Sequence, residues 1–220
     1  MAKSGKTSSS QNSVKKTGLS KTGKSAAKAA ETFCCEGAGD GATATLEFAA
    51  AVAASKPTVD RFEATTHQSS RGGTDIDHIV LHYTTSSNIE GSISWFKTGN
   101  PRTSAHYIVG RDGELVQMVN DSHQAWHAGN GGMNRRSIGI EHVAAPGQRI
   151  TAAQAAKSSA LIAWLRREYD VSRDHVIAHR CVPRNTSCCG DLFAAFGGFG
   201  GADCDVHGRA IKDWMTSMGI

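Results

Sequence analysis

With 220 residues, 39% of them hydrophobic and 20% charged, the chain has room for one domain of ordinary size plus an extension, and no apolar run in it approaches membrane-spanning length. Residues 1–30 carry seven lysines and no acid, so setting these seven aside from the net charge of +4 leaves −3 for residues 31–220. The basicity belongs to an arm, and the acidic remainder excludes a nucleic-acid-binding domain built around a basic stripe.

Residues 1–43 read as a flexible, Ser/Gly/Ala-rich leader, and the Ala-rich run over 44–55 predicts a short helix that ends before Pro57. Nothing in the first thirty residues has the apolar stretch that a secretory signal needs, so synthesis in the cytoplasm without a signal peptide is expected. A structured domain is expected over 75–220, with 1–74 as its leader. Ile76 opens the run Ile-Asp-His-Ile-Val-Leu-His-Tyr, whose β-branched content after Gly72-Gly73 predicts a buried strand. Asn88 or Ser87 can cap a helix over Ile89 to Thr98, closed by Gly99-Asn100-Pro101. His106 to Gly110 and Glu114 to Val119, joined through Asp112-Gly113, predict a hairpin, and Ser137 to Val143 another strand. Thr151 and Gln154 have capping-box spacing ahead of Leu161, Trp164, Leu165 and Glu168 at helical period. Val176 to His179 then reads as a short strand and Val206 to Met218 as a last helix. Strands alternating with helices predict an α/β domain with a single mixed central sheet flanked by helices.

Six cysteines are present, four of them (Cys181, Cys188, Cys189, Cys204) within 24 positions. In a chain expected to be made without an export signal, such clustering favours metal binding over bridges. His82 near the end of the first domain strand, His179 just after a late strand and Cys188 nine residues on supply two imidazoles and a thiolate. That is a ligand set of catalytic zinc, which lowers the pKa of a bound water and polarises a carbonyl. Ten histidines offer many accidental triples, however, and spacing alone does not select this one.

The surrounding motifs do. Ile79-Val-Leu-His82-Tyr-Thr-Thr, Ser104-Ala-His-Tyr-Ile-Val-Gly-Arg-Asp-Gly113, Ala125-Trp-His-Ala-Gly129, Ser137-Ile-Gly-Ile-Glu141 and Ala178-His-Arg180 follow one another in order. Together they resemble the type 2 N-acetylmuramoyl-L-alanine amidase family, which includes phage lysins, wall-recycling amidases and peptidoglycan-recognition proteins. The resemblance runs over roughly residues 75–218. It implies one zinc ion per chain held by His82, His179 and Cys188, with peptidoglycan or a muropeptide as substrate. The bond cut would be the amide between the lactyl group of N-acetylmuramic acid and L-alanine.

Departures from the family pattern carry information. Cys189 stands where proline is usual, leaving Cys188 or Cys189 as the thiolate; Cys188 is preferred because Thr186 and Gly190 then keep their places. Cys181 is a bystander or a disulfide partner of Cys204 or Cys189. Glu141 resembles the general base of the recycling branch. Ala105, just before His106, occupies the position of a tyrosine in phage-type members, which removes tyrosine assistance from there. Thr186 replaces a lysine that many members aim at the developing oxyanion. His127, Trp126 and Asn130 are assigned to the wall of the substrate groove, and His106 to that wall or to the layer behind the ligands. His78 shares a strand face with His82 but is expected to pack or hydrogen-bond.

Within that family the lack of a signal peptide fits a phage-type endolysin that acts on cell wall after release, and equally a cytoplasmic enzyme recycling anhydro-muropeptides. The basic leader, suited to adsorption on an anionic wall, favours the endolysin, with the recycling enzyme as the alternative. A module that binds peptidoglycan without cutting it would lack a ligand, and the third is present here. The lysine arm adds a possible contact with a polyanion such as the anionic wall, and nothing after residue 30 calls for nucleic acid.

Overall fold

The computed structural model describes residues 55–183, 186–197 and 204–220. The lysine-rich arm and all but the last residue of the helix expected over 44–55 lie outside the described residues. Within them the order is β1 (Arg61–Phe62), β2 (Gln68–Ser70), β3 (His78–Tyr83), α1 (Ile89–Thr98), β4 (Tyr107–Val109), β5 (Leu115–Gln117), β6 (His123–Ala125), α2 (Gly131–Arg136), β7 (Ser137–His142), α3 (Ala152–Glu168), β8 (Val176–Ala178) and α4 (Cys204–Ser217). Six strands form one mixed sheet, β1-β5-β4-β7-β3-β8, and β2 pairs with β6 separately. β4, β7, β3 and β8 run parallel, while β5 is antiparallel to β4. β3 and β7 are central and covered on both faces, which is why they read as nearly continuous apolar runs.

Alternation sends Ile79 and Leu81 of β3, Ile138 and Ile140 of β7, and Tyr107 and Val109 of β4 to one face. There they pack against Leu161, Ile162 and Leu165 of α3 and Ile211, Trp214 and Met215 of α4. On the opposite face Ile108 and Val116 meet Ile93 and Phe96 of α1, and Val80 meets Ala128 and Val182. The expected sheet flanked by helices is therefore the one observed. No helix among the described residues is long and apolar enough to cross a membrane.

Local signals place the helix ends. Asn88 caps α1 by accepting from Gly91 N–H, and Thr151 and Gln154 form the reciprocal capping box of α3. Gln154 goes further: its fully buried amide donates to the carbonyls of Val109 and Val143, tying the start of α3 to the ends of β4 and β7.

Residues 55–74, placed in the leader by sequence, carry β1, paired in parallel with β5, and β2, paired with β6. Strands are thus present ahead of residue 75, where the domain was expected to start. Two- and three-residue strands have no readable period, so this segment lacked a signal. Its anchor is Arg71, a buried guanidinium that donates to the carbonyls of Asp121, Asn134, Arg135 and Ser137. The strand expected to run through His179 stops at Ala178, and His179–Cys181 form a 3-10 turn.

Candidate metal and catalytic site

Strand register assembles the site. His82 on β3 lies directly beside Glu141 on β7, and Leu81 lies beside Ala178 on β8, so His179 follows one residue beyond this row. Three parallel neighbours thus deliver Glu141, His82 and His179 together at their carboxyl ends, where open α/β sheets place their ligands. The turn at Cys188–Gly190 closes over them.

His82, His179 and Cys188 offer one ligand atom each, all within 4.8 Å of one another. His82 Nδ1 is 3.8 Å from Cys188 Sγ. A tetrahedral ion with bonds of about 2.0 to 2.3 Å separates its ligand atoms by about 3.3 to 3.6 Å, so small side-chain rotations suffice for the three to converge on one ion. The second nitrogens are already engaged. His179 Nε2 lies 3.1 Å from the carbonyl of Ala128, to which it donates, and His82 Nε2 lies 3.0 Å from His127 Nδ1. Both rings are thereby left with Nδ1 for a cation. Burial first, then the neighbouring His127 and His179 rings, holds the pKa of His82 well below its ordinary value, as suits a neutral ligand. The donor set and its spacing fit zinc.

The two adjacent cysteines face different ways. Cys188 Sγ accepts from the backbone N–H of Tyr83 at 3.4 Å and joins the cluster. Cys189 is buried in the main core with its Sγ on the carbonyl of Leu81 at 3.0 Å. The hydrogen bond that the Cys188 thiol donates to Cys189, followed by burial, pushes the Cys188 pKa well up, so the metal-free chain keeps that proton until a cation displaces it. Arg180 holds the turn: its guanidinium donates to the carbonyls of Ser187, Cys188 and Gly190 and to His207 on α4. A disulfide joins Cys181 to Cys204, bracketing the segment that carries Cys188.

Glu141 is the carboxylate of the site. Its Oε1 lies 4.0 Å from His82 Nδ1, and its buried Oε2 has no hydrogen-bond partner among the described residues. Burial raises its pKa to about 8. An unpartnered carboxyl oxygen beside a ligand cluster is an acceptor for a water or a cation.

Thr186 Oγ1 accepts from the backbone N–H of Cys188 at 3.2 Å, which leaves its O–H to donate. Trp126 is half-buried, its indole N–H on Ser69 Oγ and its ring stacked on His67. Asn130 caps α2 through Met133 N–H. His127 is buried with both ring nitrogens on protein atoms, His82 at 3.0 Å and Ser137 Oγ at 3.1 Å. His106, assigned by sequence to the groove wall or behind it, is fully buried: Nδ1 accepts from Gly139 N–H, and Nε2 lies on Arg71 and the carbonyl of His123. A ring so enclosed offers no atom to a bound substrate. His78 hydrogen-bonds Asp77 and stacks on His175, away from the cluster.

A family profile described as N-acetylmuramoyl-L-alanine amidase matches residues 72–191, more than half of the chain. The chain belongs to this amidase family. N-acetylmuramoyl-L-alanine amidase A of Achromobacter lyticus is 47% identical over 64 residues, covering 29% of this chain and 35% of that protein. N-acetylmuramoyl-L-alanine amidase XlyA of Bacillus subtilis is 30% identical over 152 residues, covering 64% of this chain and 50% of its own length. The chain thus spans about a third to a half of these curated relatives. Among solved structures, PlyL superposes with a TM-score of 0.54 at 18% identity, covering 70% of this chain and 95% of that one. AmpD, at 24% identity and a TM-score of 0.50, covers 60% of this chain and 88% of its own; both likenesses are of fold.

Within the amidase domain, sequence reasoning passed over Arg180, Ser137 and Gly139, although all three stand inside the quoted motifs. Arg180 directly follows His179, and Ser137, Gly139 and Glu141 alternate along one face of β7. A Cβ at Gly139 would sit 2.5 Å from the His127 ring, so only glycine admits that ring against the strand.

Proposed function

We propose that the chain is a zinc-dependent N-acetylmuramoyl-L-alanine amidase, which hydrolyses the amide between the lactyl group of N-acetylmuramic acid and L-alanine in peptidoglycan, in the manner of an endolysin. The observation that carries this reading is the convergence of His82, His179 and Cys188 beside the buried, unpartnered carboxyl of Glu141. Family membership supports the bond assignment.

When bound, zinc supplies a Lewis acid that acidifies a water and polarises the scissile carbonyl. His82 and His179 offer Nδ1 and Cys188 its sulfur to hold the ion. Glu141 takes the proton of the attacking water and passes it to the amide nitrogen as the C–N bond breaks, a role suited to a carboxyl whose pKa lies near neutrality. Thr186 donates its hydroxyl hydrogen to the oxygen that gains charge, while Cys188 N–H keeps that hydroxyl oriented. Trp126 and Asn130 border the groove.

Digestion of purified sacculi and of anhydro-muropeptides side by side, with and without a chelator, tests the reading. New L-alanine amino termini that vanish on chelation are expected, with sacculi the better substrate. New reducing sugar ends would overturn the bond assignment, and a preference for anhydro-muropeptides would make the enzyme a recycling amidase. The seven lysines of residues 1–30 suit adsorption to an anionic wall. Deleting residues 1–43 should leave turnover of soluble muropeptide unchanged and remove a salt-sensitive part of binding to sacculi; unchanged binding would deny the arm that role.

A further inference from the structure

We propose that His127 and Ser137 act as a positioning relay that sets the tautomer of His82 and so presents its Nδ1 lone pair to the metal. The directions of three consecutive hydrogen bonds carry the inference. Ser137 Oγ lies 2.6 Å from the carbonyl of Met133, and a carbonyl only accepts, so the single hydroxyl hydrogen of Ser137 is spent there. Ser137 Oγ must then accept from His127 Nε2 at 3.1 Å, which places the His127 proton on Nε2 and a lone pair on its Nδ1. That lone pair faces His82 Nε2 at 3.0 Å, so His82 carries its proton on Nε2 and keeps Nδ1 bare toward Cys188. The opposite tautomer would put a hydrogen where the ion must bind.

Packing makes the relay rigid. Ser137 is fully buried, and His127, nearly so, is pressed against the strand at Gly139. Its backbone N–H donates to Asn134, whose side chain also takes Ala128 N–H. Alternate residues of β7 thus divide the work on one face: Ser137 aims the relay, Gly139 makes room for it, and Glu141 faces the reacting centre. In this relay His127 and Ser137 act through His82. The inference rests on the metal-site reading above, so its test uses metal binding rather than turnover.

Zinc affinity of the full chain, measured by chelator competition for wild type, His127→Leu, His127→Asn and Ser137→Ala, separates the outcomes. Loss of the acceptor in H127L should weaken zinc binding by about 10- to 100-fold. H127N, whose amide oxygen can occupy the place of the Nδ1 acceptor, should bind within about threefold of wild type. S137A frees His127 to take either tautomer and should weaken binding less than H127L; it carries the test if H127L does not fold. Long-range ¹H–¹⁵N correlations of the metal-free chain supply a signature that packing alone would not move: His82 protonated on Nε2 in wild type, mixed in S137A. Equal affinity in wild type and S137A, or a wild-type His82 protonated on Nδ1, overturns the relay while leaving the metal site standing. A wild-type chain that binds no zinc overturns both.

Discussion

On the proposed reading, Glu141 and Cys188 are separable at the residue scale because one would serve the reaction and the other would hold the ion. Glu141→Gln keeps the three ligand atoms and removes the proton acceptor, so zinc content should stay at one per chain while turnover falls by about 10²- to 10⁴-fold. Cys188→Ser should lose zinc and turnover together. Metal analysis beside initial rates reads both; an active C188S would mean that the sulfur is no ligand. His82, His179 and Glu141 were legible as candidates because each stands in a recognisable motif. Between the adjacent cysteines, the places of Thr186 and Gly190 favoured Cys188, and the turn points the two apart: Cys188 into the cluster, Cys189 against Leu81.

At the scale of elements, helix ends were the most readable features. Asn88 and the Thr151/Gln154 box act within one turn of chain, so the residues that signal them are also the ones that bond. The long-range part of Gln154 was hidden. Replacing it with leucine removes one of the donors on each of the carbonyls of Val109 and Val143 and opens the capping box, which should cost about 1 to 2 kcal/mol in urea unfolding. A loss below about 0.5 kcal/mol would mean that water replaces the amide. β1, β2, β6 and α2 escaped the sequence reading: β1, β2 and β6 pair with partners more than 40 residues away, and α2 carries two of the carbonyls that Arg71 takes.

The whole molecule keeps an unusual number of imidazoles dry. Burial holds His106 at about 3 and His142 at about 4, and His82 and His127 well below their ordinary value of 6.5. An unfolded chain binds protons at these groups below about pH 6.5 and the folded chain does not, so their contribution to stability is present above that pH and lost as the pH falls. Each costs up to about 1.4 kcal/mol per pH unit. Glu141, raised to about 8, and Asp121, also raised by burial, contribute in the opposite sense, with stability lost as the pH rises. Four groups outweigh two, and the metal-free chain should melt at lower temperature at pH 5 than at pH 7, more steeply still as Glu141→Gln; a higher midpoint at pH 5 would show that the carboxyls dominate. By itself the sequence determined the alternation of strands and helices, the family, and the residue types able to hold a cation, because these depend on local order along the chain. Only the tertiary structure decided which side chains meet. Parallel strands are joined by distant crossovers, and nothing local states that Glu141 registers against His82, that His179 lands beside them, or that Ser137 reaches His82 through His127.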